Sequence, residues 1–428
     1  MTTRRRFLQQ AGLSAGFLLL DSSLKQTAWA APDVNADFLE RARFLLQQAP
    51  LIDTHNDLPT VLIEQGADLT KFDLGKVQPK LCADVPRLRD GCVGAQYWSV
   101  YVPSGTQKTH TSLHEAAREF DVALRMIRSN PAFEQAHTAD DIERIHRSRR
   151  IACLLGVEGG HMMEDSAAAL RMFYELGARY MTLTHWDNIN WADAATDRVE
   201  HNGLTEFGKR TVMEMNRLGM FVDISHVSAN TMRDAISVSR APVLFSHSCA
   251  FAVDPHPRNV PDDVLSELPA NGGVVHVAFI RDFIAPGDSA WQQRRTAALR
   301  ELHEQYISDK QIEQEIQEWD NANPYPAPQI SDVADHIDHI RQVAGIDHIG
   351  IGADFYDSDP KSMVTGLADV TRYPYLFAEL LRRRYTDEEV LKIAGRNHLR
   401  AMRQMERVAA ELQKKEAPFM GEEGKVLN

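Results

Sequence analysis

The sequence predicts an α/β fold of the (β/α)8 barrel, or TIM barrel, type. Two observations predict it: eight short apolar runs alternate with amphipathic stretches, and most of these runs end in histidine or an acidic residue. The chain has 428 residues, of which 43% are hydrophobic and 25% charged, so it can bury a sizeable core. We therefore expect a parallel sheet enclosed by helices.

The apolar runs have the length and composition of buried strands. They are a run that ends near Asp57 and the segments 97–102, 151–158, 180–185, 220–226, 242–247, 272–279 and 348–355. The stretches between them carry helix signals: Thr205 is an N-cap before Glu206, and Gly219 follows a basic last turn. Strands that alternate with helices predict a parallel sheet, which is either closed into a barrel or open and doubly wound.

Polar residues at the strand ends favour the barrel over the open sheet. They are His55, Asp57, Glu158, His185, His226, His247 and Asp354. A barrel brings the carboxyl ends of its strands together around one mouth, so these side chains would converge although they lie far apart in the sequence. An open sheet would distribute them along an edge.

The first strand, in the stretch LIDTHNDLP, places three polar residues two apart: Asp53, His55 and Asp57. Alternation with a period of two predicts that they share the face that points into the barrel, where imidazole and carboxylate would share a cation. A single histidine at a strand end is more often a hydrogen-bonded core residue than a ligand. Four of them at four strand ends, with two acids, reverse that preference. Three histidines, at 55, 226 and 247, and two carboxylates, at 57 and 158, are too many for one catalytic zinc ion but suit two.

The sequence resembles the membrane dipeptidase (renal dipeptidase) family of binuclear zinc metallopeptidases, as a bacterial exported member, from about Pro50 to Met402. The resemblance rests on motifs that occur in order: DTHNDLP, GVEGGH, LTH, DISHVS, PVLFSHS, RNVPDDV and GIGADF. Any one of them is a weak signal, but the ordered set is specific. The family implies a TIM barrel of the metal-dependent hydrolase type.

The resemblance also implies two zinc ions and a role for each site residue. His55 and Asp57 would hold one ion, His226 and His247 the other, and Glu158 would bridge both. His185 would polarise the substrate, Arg258 would bind its carboxylate, and Asp354 would be the catalytic acid. From the residues alone, a surface salt bridge is the better interpretation of Arg258.

The implied reaction is zinc-dependent hydrolysis of dipeptides to free amino acids. A hydroxide that bridges the ions would be the nucleophile, and Asp354 would act as general acid and base. Two alternatives are a related metal-dependent amidohydrolase that acts on cyclic amides or small amines, and a barrel that only binds. Such amidohydrolases usually carry His-x-His on the first strand, where this chain has His55 and Asp57, and a binding module needs no full set of ligands.

Some positions depart from the family pattern. The last-strand motif continues with Tyr356 and Asp357 where relatives commonly have Asp-Gly, and Asp187 stands where some animal relatives have a cysteine. His276, on the seventh strand, has no role in the pattern and is expected to be a packed core histidine. The segment from 281 to about 325 is an insertion with helical spacing, either a lid or subunit contact at the rim or a solvated helical hairpin.

The first thirty residues have the pattern of an export signal. The arginines at 4–6 precede a short apolar segment, 11–20, and a small-x-small cleavage site, 28–30. The apolar segment is much shorter than the roughly 20 residues that span a bilayer. We expect a twin-arginine signal peptide over 1–30, a single barrel domain over 31–428 and a periplasmic location.

The net charge and the cysteines indicate which kinds of binding partner and which covalent cross-links to expect. The net charge of −13 argues against binding to nucleic acid or to an anionic membrane, and the charged segment 406–415 near the end of the chain predicts no lipid anchor. Cys82 and Cys92 could pair, although buried thiols are the favoured interpretation of the cysteines. The expected partner is a small dipeptide substrate, and a homodimer is one option for the oligomeric state.

Overall fold

The computed structural model describes residues 36–284, 288–305, 309–325, 327–356 and 362–421. Nine strands lie within these ranges. They are β1 (Leu51–Asn56), β2 (Val93–Val100), β3 (Phe133–Gln135), β4 (Ile151–Glu158), β5 (Ala178–Thr182), β6 (Phe221–Asp223), β7 (Leu244–Phe245), β8 (Val274–Val277) and β9 (Ile349–Ile351). The predicted signal peptide and Asp357 lie outside the described residues.

Eight of these strands close into a parallel barrel. The sheet runs in the order β2-β1-β9-β8-β7-β6-β5-β4-β3, and an additional pairing of β2 with β4 completes the ring. The short strand β3 pairs only with the first half of β4 and stays outside the ring. The predicted (β/α)8 barrel is therefore confirmed, and the open sheet is excluded.

Helices follow every barrel strand and cover its outer face. They are α1 (Ala36–Leu45), α2 (Leu58–Glu64), α3 (Val85–Asp90), α4 (Ser112–Ser129), α5 (Ala139–Arg147), α6 (Ala167–Glu175), α7 (Glu206–Leu218), α8 (Ala229–Val238), α9 (Asp262–Leu265), α10 (Leu268–Asn271), α11 (Asp288–Gln305), α12 (Asp309–Ala322), α13 (Ile330–Val343), α14 (Tyr373–Arg382), α15 (Asp387–Leu391) and α16 (Asn397–Leu412). The boundaries predicted for α7 are confirmed, since the side chain of Thr205 accepts from the amide of Gly208, and Gly219 has the left-handed conformation that ends many helices.

The lower interior of the barrel is filled by side chains from alternate strand positions. Large inward residues such as Tyr97 and Phe221 join a buried cluster that α5 and α16 close from below. His276 also lies in this layer: its Nδ1 is 3.0 Å from the carbonyl oxygen of Phe245, and its Nε2 is 3.1 Å from Nδ1 of His398. Burial lowers the pKa of His276 to about 3, so the expectation of a packed, neutral core histidine is confirmed.

The predicted insertion after the seventh barrel strand is helical. Helices α11 and α12 pair through the rings of Trp291 and Trp319, whose centroids are 5.8 Å apart. Arg295 donates from Nε and Nη2 to both carboxylate oxygens of Asp320, at 2.7 and 2.9 Å. The segment is thus a helical hairpin held by aromatic contact and one bidentate ion pair.

The four cysteines are free thiols. Cys82, Cys153 and Cys249 are buried, and Cys92 is partly exposed, so Cys82 and Cys92 do not pair. Among the described helices, we find none with the length and apolar character needed to cross a bilayer.

Gly156 offers a test of how tightly the barrel interior is packed. A Cβ at this position on β4 would lie 1.9 Å from Cζ of Tyr180, whose hydroxyl is held by His55 and by the carbonyl of Thr54. We expect Gly156→Ala to lower the free energy of unfolding by about 1–3 kcal/mol, the usual cost of overpacking. Urea denaturation measures it.

The matched control is Gly105→Ala, because no atom lies within 4 Å of the added Cβ at that surface turn. We expect that variant to stay within about 0.5 kcal/mol of wild type. A Gly156→Ala protein as stable as the control would show that the Tyr180 ring can move aside.

Candidate metal centre

The residues predicted from the strand ends meet at one mouth of the barrel. His55 lies in β1, Glu158 ends β4, and Asp57 directly follows β1. The others lie two or three residues beyond their strands: His185 after β5, His226 after β6, His247 after β7 and Asp354 after β9. All seven side chains are buried. The convergence that the sequence predicts is therefore present, although most of these residues belong to the loops and not to the strands.

Glu158 connects two groups of potential ligand atoms. Its Oε1 is 3.2 Å from Nε2 of His226 and 3.5 Å from Nε2 of His247, and these two nitrogens are 2.9 Å apart. Its Oε2 lies 3.5 Å from Nε2 of His55, which is also 3.5 Å from Oδ1 of Asp57. Each oxygen of the Glu158 carboxylate thus belongs to a different group of three atoms, which we call a trio. One trio contains the Nε2 atoms of His226 and His247, and the other contains Nε2 of His55 and Oδ1 of Asp57.

The spacing of both trios fits a tetrahedral metal ion. Zinc binds nitrogen and oxygen at roughly 2.0–2.2 Å, so neighbouring ligand atoms around it lie roughly 3.3–3.6 Å apart. The distances of 2.9–3.5 Å that separate the atoms around Oε1 of Glu158, and the 3.5 Å separations around His55, are close to this spacing. Imidazole and carboxylate are also the donors that zinc prefers. Each of these groups therefore fits a cation.

The pKa values of the histidines in these groups also favour cation binding. Burial alone would lower the pKa of His55, but Glu158 and Asp57 outweigh it and raise that pKa well above its usual value. The carboxylates therefore favour positive charge beside His55. Burial, reinforced by Arg258 and neighbouring histidines, lowers the pKa values of His226 and His247 well below normal. Both rings are then neutral and have a lone pair to offer a metal.

A hydrogen bond fixes which nitrogen of His55 faces the carboxylates. The hydroxyl of Tyr180 donates to the carbonyl of Thr54 at 3.1 Å and lies 2.8 Å from Nδ1 of His55. Because the only hydroxyl proton is used by the carbonyl, we assign the proton of the ring to Nδ1, which donates to Tyr180. When the ring is neutral, as metal binding requires, its lone pair is on Nε2, the atom that faces Glu158 and Asp57.

Asp53 does not share the face of His55 and Asp57, so that part of the sequence prediction was wrong. Its carboxylate accepts from the hydroxyl of Tyr373 at 2.6 Å and from the side-chain amide of Gln96 at 2.9 Å. Strict alternation fails because the pairing of β1 with β2 is irregular between Asp53 and Asn56. Asp53 instead joins β1 to β2 and α14.

The other predicted residues surround the two trios. Nε2 of His185 is 3.4 Å from Oε1 of Glu158, and its ring packs against Tyr101. Oδ1 of Asp354 is 3.7 Å from Nε2 of His55. Arg258 is fully buried, and its Nη2 donates to the carbonyl of His247 at 3.3 Å. The surface salt bridge considered for Arg258 is therefore excluded.

The positions that depart from the family pattern make contacts of their own. Tyr356 donates from its hydroxyl to Oε1 of Glu64 at 2.7 Å, which ties the segment after β9 to α2. Asp187 accepts from the hydroxyl of Ser104 at 2.5 Å and so joins the loops after β2 and β5. Tyr356 and Asp187 thus each make a polar contact between loops or helices that follow different strands.

Sequence reasoning missed a layer of polar residues beneath the ligands. It consists of Tyr180, Asp223 and Ser246, which bond to ligand rings or to one another. A carboxylate inside the apolar run MFVDISH was the one available signal for Asp223. Burial raises the pKa of Asp223, against which hydrogen bonds from Ser246 and Thr182 act.

Comparison with known proteins agrees with the fold. The family model for membrane dipeptidase (Peptidase family M19) matches residues 39–416. Dipeptidase 3 of Rattus norvegicus is 38% identical over 380 residues, which are 86% of this chain and 68% of the relative. Dipeptidase 3 of Macaca fascicularis is 38% identical over 386 residues, 88% of this chain and 69% of the relative.

Solved structures of lower identity share the barrel. The probable dipeptidase PvdM from Pseudomonas aeruginosa has a TM-score of 0.74 at 22% identity and covers 87% of this chain and 99% of its own. A metallopeptidase from Rhodobacter sphaeroides, liganded with a phosphinate mimic of the dipeptide L-Ala-D-Ala, has a TM-score of 0.67 at 23% identity and covers 83% and 99%. The matched family and the relatives together establish that this chain belongs to the membrane dipeptidase family, Peptidase family M19, as a metallodipeptidase.

Proposed function

We propose that this protein uses two zinc ions to hydrolyse dipeptides to free amino acids. The observation that carries the proposal is the position of Glu158, which belongs to two groups of potential ligand residues, one with His226 and His247 and one with His55 and Asp57. His55 and Asp57 would hold one ion with Glu158, and His226 and His247 would hold the other. When bound, the ions would polarise the scissile carbonyl and bring the pKa of a water molecule near neutrality.

Asp354 is suited to move the proton in this reaction. Its Oδ1 lies 3.7 Å from Nε2 of His55, and Asp354 forms a further group of potential ligand atoms with His55 and His247, between the two groups that Glu158 joins. From there the carboxylate takes a proton from the attacking water and delivers it to the departing amine. His185, whose Nε2 is 3.4 Å from Glu158, donates a hydrogen bond to the oxygen that develops negative charge.

Arg258 supplies the length specificity of a dipeptidase. Its guanidinium is buried and anchored to the carbonyl of His247, so its distance from the ligand groups is fixed. The planar guanidinium of Arg258, at a fixed distance from the metal ligands, pairs with the C-terminal carboxylate of the substrate only when one residue separates that carboxylate from the scissile bond. The mimic bound to the Rhodobacter relative contains a D-residue, which supports assays with both L,L and L,D dipeptides.

Metal dependence is the first test of this function. We expect elemental analysis to find two zinc ions per chain and a chelator to abolish dipeptide hydrolysis. Glu158→Gln should lose at least one ion, because an amide bridges two cations poorly. Glu64→Gln is the control, since that carboxylate bonds to Tyr356 outside the ligand groups and should leave both ions in place. Full hydrolysis by metal-free protein would overturn the proposal.

Substitution of Asp354 separates chemistry from binding. Asp354→Asn should keep both zinc ions and substrate affinity but lower kcat by about 100-fold or more, the usual range for a general acid-base group. Asp187→Asn removes a rim carboxylate that bonds to Ser104 and should leave kcat within a few fold of wild type. An Asp354→Asn enzyme with normal kcat would assign proton transfer to another group.

The role of Arg258 is tested with a dipeptide and its C-terminal amide. Amidation should lower kcat/KM of the wild-type enzyme by an amount that corresponds to roughly 2–5 kcal/mol of transition-state stabilisation. This is the scale for breaking a buried charged pair. Arg258→Ala should lose about as much on the free dipeptide yet respond little to amidation, because the group that binds the carboxylate is gone.

Arg281→Ala is the matched control for this double cycle. Arg281 lies at the same end of the barrel, with its guanidinium 4.3 Å from the ring centroid of Tyr325, and its variant should retain the full loss on amidation. If the losses from Arg258→Ala and from amidation simply add, Arg258 does not contact the carboxylate.

A further inference from the structure

A buried carboxylate lies directly beneath one of the two ligand groups. Asp223, the last residue of β6, is fully buried and receives four hydrogen bonds. Its Oδ1 accepts from the amides of Ser246 at 2.8 Å and Ser225 at 3.2 Å. Its Oδ2 accepts from the hydroxyls of Ser246 at 2.6 Å and Thr182 at 2.5 Å. Two donors at each oxygen leave little room for a proton on the carboxylate, so Asp223 acts as an acceptor only.

The hydroxyl of Ser246 connects Asp223 to His247 through two hydrogen bonds. The hydroxyl has one proton, which it donates to Asp223, and the same oxygen is 2.8 Å from Nδ1 of His247. That oxygen can therefore only accept from the ring, so Nδ1 of His247 carries the proton. The lone pair of His247 is then on Nε2, which faces Nε2 of His226 at 2.9 Å and Glu158 at 3.5 Å.

We propose that Asp223, acting through Ser246, is a positioning residue that fixes the tautomer of His247 and thereby gives the His226–His247–Glu158 group its affinity for metal. The proposal rests on the two-zinc function proposed above. An imidazole binds a metal only through an unprotonated nitrogen, and a fixed tautomer removes the cost of selecting that form.

The other ligand group is oriented mainly through Tyr180, whose hydroxyl also interacts with the side chain of Ser246. His55 donates from Nδ1 to Tyr180, whose own proton goes to the backbone carbonyl of Thr54. A backbone carbonyl can only accept, so no side-chain substitution at Asp223 reverses this second relay. Loss of Asp223 should therefore weaken the ion at His226 and His247 more than the ion at His55 and Asp57.

The decisive variant is Asp223→Asn, which keeps the shape of the side chain and reverses the hydrogen bonds. The Asn oxygen still accepts from the two amides, but its NH2 group now donates to the hydroxyls of Ser246 and Thr182. The hydroxyl of Ser246 then donates to Nδ1 of His247, and the proton of the neutral ring moves to Nε2. We expect the affinity for one of the two zinc ions to fall by about 10–100-fold, the usual effect of losing such a partner of a metal-ligating histidine, and the affinity for the other to change much less.

Two further variants separate the relay from general damage at Asp223. Thr182→Val removes a hydrogen bond to the same carboxylate oxygen but leaves Asp223, Ser246 and His247 connected. It should bind both ions as wild type does, whatever its thermal stability. Ser246→Ala removes the acceptor of Nδ1 while leaving Asp223 charged, and it should weaken the same ion as Asp223→Asn does.

The measurement is a zinc titration of the full-length protein against a competing chelator, with elemental analysis for stoichiometry and a thermal melt of each apoprotein. Selective loss of one ion in Asp223→Asn and Ser246→Ala, with Thr182→Val normal, supports the proposal. Wild-type affinity in Asp223→Asn, or equal losses in all three variants, overturns it. Wild-type protein that binds no zinc overturns the two-zinc function itself, and the positioning role with it.

Discussion

The carboxylate of Glu158 is the group on which both halves of the site depend. It stands at the end of β4, a strand that pairs with β2 along one side and with β5 along the other, so the backbone beneath it is fixed from both sides. Its two oxygens are acceptors for different groups of atoms, one containing His55 and the other His226 and His247. Among the described residues, His55 and His247 also form a further possible group with Asp354, but only Glu158 belongs to both of these two groups, so a shift of β4 would disturb both at once.

Beneath Glu158 the barrel interior is organised in layers of changing chemistry. The lowest layer is apolar apart from the chain of Tyr97, His398 and His276, in which every ring nitrogen has a hydrogen-bond partner. The layer above contains Tyr180 and Asp223, whose hydrogen bonds set the tautomers of the histidines over them. The named polar groups in the two lower layers therefore satisfy one another, as burial requires, whereas the uppermost layer contains the nitrogen and oxygen atoms of the potential metal ligands.

The sequence was sufficient to predict that the site residues converge, but it was not sufficient to predict their detailed hydrogen bonding. The barrel needs only the order of strands and helices, so the residues at the strand ends could be placed at one mouth without coordinates. The direction of Asp53 could not be predicted, because a local irregularity in the pairing of β1 breaks the period of two. The relay of Asp223 and Ser246 was missed because it depends on the lateral pairing of β6 and β7, which no spacing along the chain reveals. Strand β3, at three residues, is too short to leave a pattern.

The site also requires backbone conformations that the chain would otherwise avoid. His226 and Asp354 have φ values of 68° and 64°, in the left-handed region that costs a non-glycine residue of order 1–3 kcal/mol. Neighbouring groups hold them there: the amide of Ala195 donates to the carbonyl of His226 at 2.7 Å, and the amide of Asp354 donates to the carbonyl of His55 at 3.2 Å. In both cases the turn directs a functional side chain back over the barrel mouth immediately after a strand. The closed barrel beneath supplies the rigidity that keeps these turns in place, so the strain is local to the site while the stability comes from the layers below.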